Sequence, residues 1–121
     1  MMQSQASPEI NKSSMAIIDS LYNYSANGSE FQLTFIEFGA IGCSACTRME
    51  EVLEEIKIKY PQKVNVVFMN VLLPENQPLM KYYGIAAIPT QVLLYKNGLE
   101  YFRHTGYYSF EALQKEINTG L

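Results

Sequence analysis

The sequence predicts an α/β domain: a central mixed β-sheet of four to five strands flanked by helices on both faces. Three observations carry this expectation. Short apolar runs rich in β-formers, at residues 33–38, 64–70 and 91–95, look like buried strands. Between the first two, Met49, Val52, Leu53, Ile56 and Tyr60 recur at helical spacing, while Glu50, Glu51, Glu54, Glu55, Lys57 and Lys59 solvate most of the remaining surface. A helix between two such strands implies a right-handed parallel crossover, whereas Asn97-Gly98 between the third run and residues 100–105 marks an antiparallel hairpin, so the sheet is mixed.

Taken in order, residues 1–13 are polar, interrupted by Pro8, and offer only Ile10 to bury; they are expected to form a flexible lead ahead of a domain covering residues 14–121. Ser14 is expected to cap a first helix that places Met15, Ile18, Leu21 and Tyr22 at helical spacing and ends at Asn27-Gly28-Ser29. The strand at 33–38 and a long helix over 43–60 follow, the helix stopping at the residue before Pro61. The run 64–70 reads as a second buried strand. Pro74 and Pro78 bracket a connection to a small helix carrying Leu79, Met80, Tyr82 and Tyr83, closed by Gly84. Residues 85–90 read as a loop and 91–95 as a third strand, with 100–105 as its hairpin partner. Gly106 breaks that strand, Ser109 caps a last helix whose apolar face is Phe110, Leu113 and Ile117, and Gly120 terminates it.

At 121 residues, with 48% hydrophobic and 17% charged residues, the chain suits one domain with a substantial core. A net charge of -3 without any basic run argues against nucleic acid as a partner. No window approaches the roughly 18 apolar residues of a membrane span, and the opening residues hold neither a basic nor an apolar signal region. The doubled methionine ahead of a polar stretch fits an added start codon where a native leader has been trimmed away.

The chain has two cysteines, Cys43 and Cys46, and the first falls at the turn from the strand at 33–38 into the long helix. A thiolate there faces unpaired N–H groups and the positive end of the macrodipole, an effect of about 0.3 to 2 kcal/mol. With one pKa unit equal to about 1.4 kcal/mol, that lowers a reference thiol pKa of about 8.5 by roughly one unit. Cys46, one turn further on, lies on the same side and within reach of a mixed disulfide formed at Cys43. The pair is arranged as a nucleophile and a resolving thiol. Half a zinc site, a structural disulfide and incidental core thiols are the other uses of such a pair; a closed zinc site needs four ligands, and this chain adds only His104 and carboxylates.

With C-x-x-C at a strand-to-helix junction, Ile88-Pro89-Thr90 at the start of the next-but-one strand, the Lys96-Asn97-Gly98 hairpin and Gly106 before the last helix, the chain from about Ser14 to Leu121 resembles the thioredoxin family. The resemblance implies a thioredoxin fold, a cis peptide before Pro89, and a groove in which Ile88, Pro89, Gly42 and Gly106 meet an extended substrate segment. It implies thiol-disulfide exchange with disulfide-containing protein substrates by a monomer that needs no cofactor or metal. It also implies an upstream dithiol reductant, either a thioredoxin reductase or a membrane thiol transporter. Glu37 occupies the place of the family's buried acid, and a buried carboxyl can titrate as high as about 8 to 9, fit to act as general base for Cys46; a solvated, edge-facing carboxylate is the other reading.

The chain departs from the family pattern at the residues around the pair. Gly42 and Gly39 replace tryptophans, Ser44-Ala45 replaces Gly-Pro, Thr47 replaces a lysine, Glu51 a helix-kinking proline and Phe68 a buried lysine. The N-terminal edge strand of full thioredoxins has no counterpart in residues 1–13. His104, the one histidine, reads as a surface strand residue, and Tyr107 and Tyr108 as groove aromatics or as packing or surface aromatics. The runs 88–92 and 102–106 resemble bacterial extracytoplasmic or membrane-tethered thioredoxin-like proteins, which sets that location slightly ahead of the cytoplasm. Two functions of other kinds are compatible with the same residues: a non-catalytic binding module using the Pro89 groove, and a disulfide oxidant or isomerase.

Overall fold

The computed structural model describes residues 7–121. Helix α1 runs Pro8–Tyr22, followed by a single turn, α2, at Tyr24–Asn27. Strand β1 is Leu33–Gly39, helix α3 Ser44–Lys59 and strand β2 Val64–Asn70. A 3-10 turn at Pro74–Asn76 leads into α4, Gln77–Tyr83, and the chain closes with β3 (Thr90–Leu94), β4 (Glu100–Thr105) and α5 (Phe110–Gly120). The sheet order is β2-β1-β3-β4, with β1 parallel to β2 and antiparallel to β3, and β3 antiparallel to β4. This is the mixed sheet expected, with four strands among the described residues.

Two expectations are corrected. The first helix begins at Pro8 rather than Ser14, so residues 8–13 are helical; residues 1–6 and the side chain of Ile10, on which part of the flexible-lead expectation rests, lie outside the described residues. Pro8 starts the helix rather than interrupting it: the Ser7 carbonyl accepts the Asn11 N–H at 2.8 Å, and a proline at the first helical position forgoes only an N–H that would have had no helical partner. Ser14 lies mid-helix and is fully buried. The second correction concerns β2, which is an edge strand with Phe68 half exposed rather than a strand buried on both faces. β1 takes the central place, and all seven of its residues are buried.

The helices form two layers. On one face α3 and α5 cover the sheet, packing Met49, Val52, Leu53, Ile56, Leu113 and Ile117 onto Leu33, Phe35 and Leu93. On the other, Ile18 and Tyr22 of α1 join Leu79 and Tyr83 of α4 over Ile36, Phe38, Val92 and Leu94. Successive residues of β1 and β3 thus serve opposite cores, as the two-residue period of a strand requires. The β3–β4 turn uses Gly98 at φ 87° to accept a left-handed bend, its N–H donating to the Tyr95 carbonyl at 2.9 Å. Arg103 of β4 forms a fork on Glu100, with Nε to Oε2 at 2.7 Å and Nη2 to Oε1 at 2.8 Å, and donates Nη1 to the Tyr83 carbonyl at 2.8 Å. That side chain fastens β4 to the end of α4.

Candidate active site

β1 ends at Gly39, and a four-residue connection delivers the chain to the N-terminus of α3, where Cys43 is the N-cap residue in extended conformation (φ -89°, ψ 117°). Its sulfur accepts the Cys46 N–H at 3.2 Å, and its carbonyl accepts both the N–H (3.0 Å) and the hydroxyl (3.2 Å) of Thr47. Cys43 and Cys46 are joined as a disulfide with their Cα atoms 5.1 Å apart. The outer sulfur belongs to a half-buried residue, while Cys46 is buried under the first turn. The turn before the pair depends on Gly42, whose φ of 90° lies in the region a side chain disfavours and whose missing Cβ would meet only open space. A tryptophan at this position, as in the family pattern, would have to change the turn.

Glu37 lies on the α3-facing side of β1 and is 1% exposed, which removes the reading of a solvated edge carboxylate. Burial pushes its carboxyl up to about 8, against the opposing pull of the Gln91 side chain, which donates Nε2 to Oε1 at 3.2 Å. Oε2 has no hydrogen-bond partner among the described residues. Glu37 and Cys46 line one cleft of about 260 Å³, together with Gly42, Thr47, Glu50 and Phe68. Gly39 makes that arrangement possible: a Cβ there would come within 3.0 Å of the Phe68 ring and 3.3 Å of the Cys46 sulfur. Phe68, opposite Glu37 in the β1–β2 register, supplies no cation to the acid.

The Ile88–Pro89 peptide bond is cis. Pro89 is buried and Ile88 half-buried, packed on the α1–α4 core. The Pro89 carbonyl accepts the Gly106 N–H at 2.7 Å, so Gly106, at φ 98°, is tied to the proline loop across the start of the β3–β4 ladder. Thr90 secures the same loop, donating Oγ1 to the Ala87 carbonyl at 2.7 Å.

Two side chains, Gln91 and His104, differ from their sequence reading or escape it. Gln91 has no role of its own in the sequence, where it stands only within the runs 88–92 and 91–95, yet it is fully buried and faces Glu37 on one side and His104 on the other in the strand registers. A glutamine opening an otherwise apolar strand is the available signal, because a buried amide must find partners. His104 is not a plain surface residue: it is half-buried, its Nδ1 lies 3.0 Å from Gln91 Oε1, and its ring lies 4.1 Å from that of Tyr108. Tyr108 is a packing aromatic against Phe102 and the α3–α5 core, whereas Tyr107 is exposed, with the Arg48 guanidinium 4.1 Å from its ring centre.

A family model for the thioredoxin-like domain matches residues 19–121. The chain belongs to the thioredoxin-like family. Among curated relatives it is 35% identical over 86 residues to a thioredoxin of Rickettsia bellii, covering 71% of this chain and 79% of that one. A thioredoxin of Haemophilus influenzae is 38% identical over 63 residues, 52% of this chain and 56% of its own. Among solved structures, thioredoxin-2 of a malaria parasite superposes with a TM-score of 0.67 at 20% identity, covering 76% of this chain and 94% of that one. The exposed lipoprotein thioredoxin of Streptococcus pneumoniae gives a TM-score of 0.67 at 18% identity, covering 76% and 87%. These superpositions establish the thioredoxin fold, and the thioredoxin-like membership with its C-x-x-C pair supports thiol-disulfide redox chemistry.

Proposed function

We propose that the protein is a thioredoxin-like protein-disulfide reductase working through a Cys43/Cys46 dithiol-disulfide cycle. The observation that supports this best is the seat of Cys43: a sulfur at a helix N-terminus, already accepting a backbone N–H, with its bonded partner buried behind it. In the reduced protein the Cys43 thiolate attacks one sulfur of a substrate disulfide. A mixed disulfide forms and the first substrate sulfur leaves as a thiolate, which takes a proton from solvent. Cys46 then gives up its proton to the Glu37 carboxylate and attacks the Cys43 sulfur. The second substrate thiolate leaves, and the Cys43–Cys46 disulfide carries the two electrons' worth of oxidation. An upstream dithiol returns the pair to the reduced state.

In this reading an extended substrate segment lies along Gly42 and the loop pair of Ile88, Pro89 and Gly106. Gly42 projects no side chain, and Ile88, Pro89 and Gly106 form a hydrogen-bonded loop pair whose backbone can be extended by a strand-like partner. Reduction of insulin disulfides with dithiothreitol as electron source tests the proposal. Wild-type protein is expected to accelerate precipitation of the insulin B chain, and Cys43→Ser to abolish the acceleration. Equal rates for the two proteins would overturn it.

A further inference from the structure

A row of side chains crosses three strands on the α3-facing side of the sheet: Glu37 on β1, Gln91 on β3 and His104 on β4 are directly paired in register. The hydrogen bonds along it run in one direction. Gln91 Nε2 approaches two acceptors, Glu37 Oε1 at 3.2 Å and the Gly106 carbonyl at 3.0 Å, so the amide nitrogen must face them and donate to both. Its carbonyl oxygen is thereby turned to His104 Nδ1 at 3.0 Å, which must carry a proton and donate it. The imidazole is in turn held by the Tyr108 ring.

We propose that Gln91 and His104 are positioning residues for the redox step: the Nδ1–H of His104 locks the Gln91 amide so that its nitrogen holds one oxygen of Glu37 and keeps the carboxylate oriented in the cleft it shares with Cys46. The proposal rests on the reading of Glu37 as the proton acceptor of Cys46. If the His104 donor is lost, the amide oxygen has no partner and only the Gly106 carbonyl still selects which end of the amide faces Glu37, so the reversed amide, which sets oxygen against oxygen, becomes easier to reach. The consequence falls on the ionised carboxylate, the form that Gln91 favours. Among the described residues, the charged groups that line the cleft with Glu37 are Glu50, Glu54 and Lys57 of α3, joined in the reduced protein by the Cys46 thiol; β2 contributes Phe68, and Gln91 of β3 faces the acid across the ladder, neither of which titrates. Among the described residues, the titratable ring packed against His104 is that of Tyr108.

The direct test is a carbon-13 NMR titration of the Glu37 carboxyl, a measurement that does not require turnover. Gln91→Leu is expected to move the Glu37 midpoint upward by about one pH unit, the scale of a lost charge-assisted hydrogen bond. His104→Leu is expected to move it in the same direction. His104→Asn, whose amide nitrogen can stand where Nδ1 stands, is expected to restore it and also guards against a variant that fails to fold. In the Gln91→Leu background, His104→Leu should add nothing, because its influence passes through the amide. An unmoved midpoint in His104→Leu, or an additive shift in the double variant, overturns the inference. Loss of insulin reduction in Cys43→Ser is a separate outcome, and Glu37→Gln reports on the role of the acid itself.

Discussion

At the residue scale, Glu37 carries the most consequence for stability. Its carboxyl titrates near 8 in the folded chain against an ordinary value of 4.5, because burial disfavours the charge more than Gln91 favours it. The folded state therefore holds a proton that the unfolded state has already released over that interval. Stability contributed by the neutral carboxyl is present below the unfolded value and is lost as pH rises through the folded one. Glu37→Gln is expected to leave stability nearly unchanged at about pH 4 and to raise it by about 2–4 kcal/mol at about pH 9, read from denaturant midpoints. A difference that stays constant with pH would contradict the assignment. Both cysteines, the acid and the proline are legible as residues because each sits at a landmark position in sequence. Gln91 and His104 are not, since a glutamine and a histidine in a strand acquire meaning only through the cross-strand register that sets them beside Glu37.

At the element scale, apolar runs and helical periodicity locate β1, β2, β3 and the helices after β1 to within a residue or two, and the Asn97-Gly98 turn locates β4. The start of α1 escapes it because Pro8 ends helices in the interior yet begins them at the first position, and the residues it introduces are polar. The edge position of β2 is hidden for a different reason: Val64-Asn65-Val66-Val67-Phe68-Met69 is as apolar as a central strand, although Phe68 stands half in solvent. The cap of α5 is visible in both, with Ser109 Oγ accepting the Ala112 N–H at 3.1 Å. Ser109→Ala is expected to lower stability by about 1 kcal/mol through loss of that cap, measured by chemical denaturation, with little effect on disulfide exchange.

At the scale of the whole molecule, the α1–α4 layer is held to the sheet by more than apolar packing. Arg103 and Glu100 are 15% and 9% exposed in their side chains, and the guanidinium also reaches the Tyr83 carbonyl at the end of α4. This ties the outer strand to the helix that precedes the proline loop. Arg103→Leu leaves a carboxylate little exposed and without its counter-charge, and is expected to lower stability by about 3 kcal/mol, checked by thermal and denaturant unfolding. A neutral substitution there would show that the fork is dispensable.

Because the order is β2-β1-β3-β4, the acid and the start of the strand after Pro89 belong to the two strands that are hydrogen-bonded on both sides. Their positions are set by backbone ladders, whereas the cysteine pair and the residues proposed to meet a substrate stand on turns and on the first coil of a helix. Footing and face are thus separate inheritances. The chain can exchange both family tryptophans for glycines, and the residues between its cysteines for serine and alanine, without disturbing the frame that presents the sulfurs. Under the proposed function, variation at that rim alters which disulfides are met while the means of exchange stays in place.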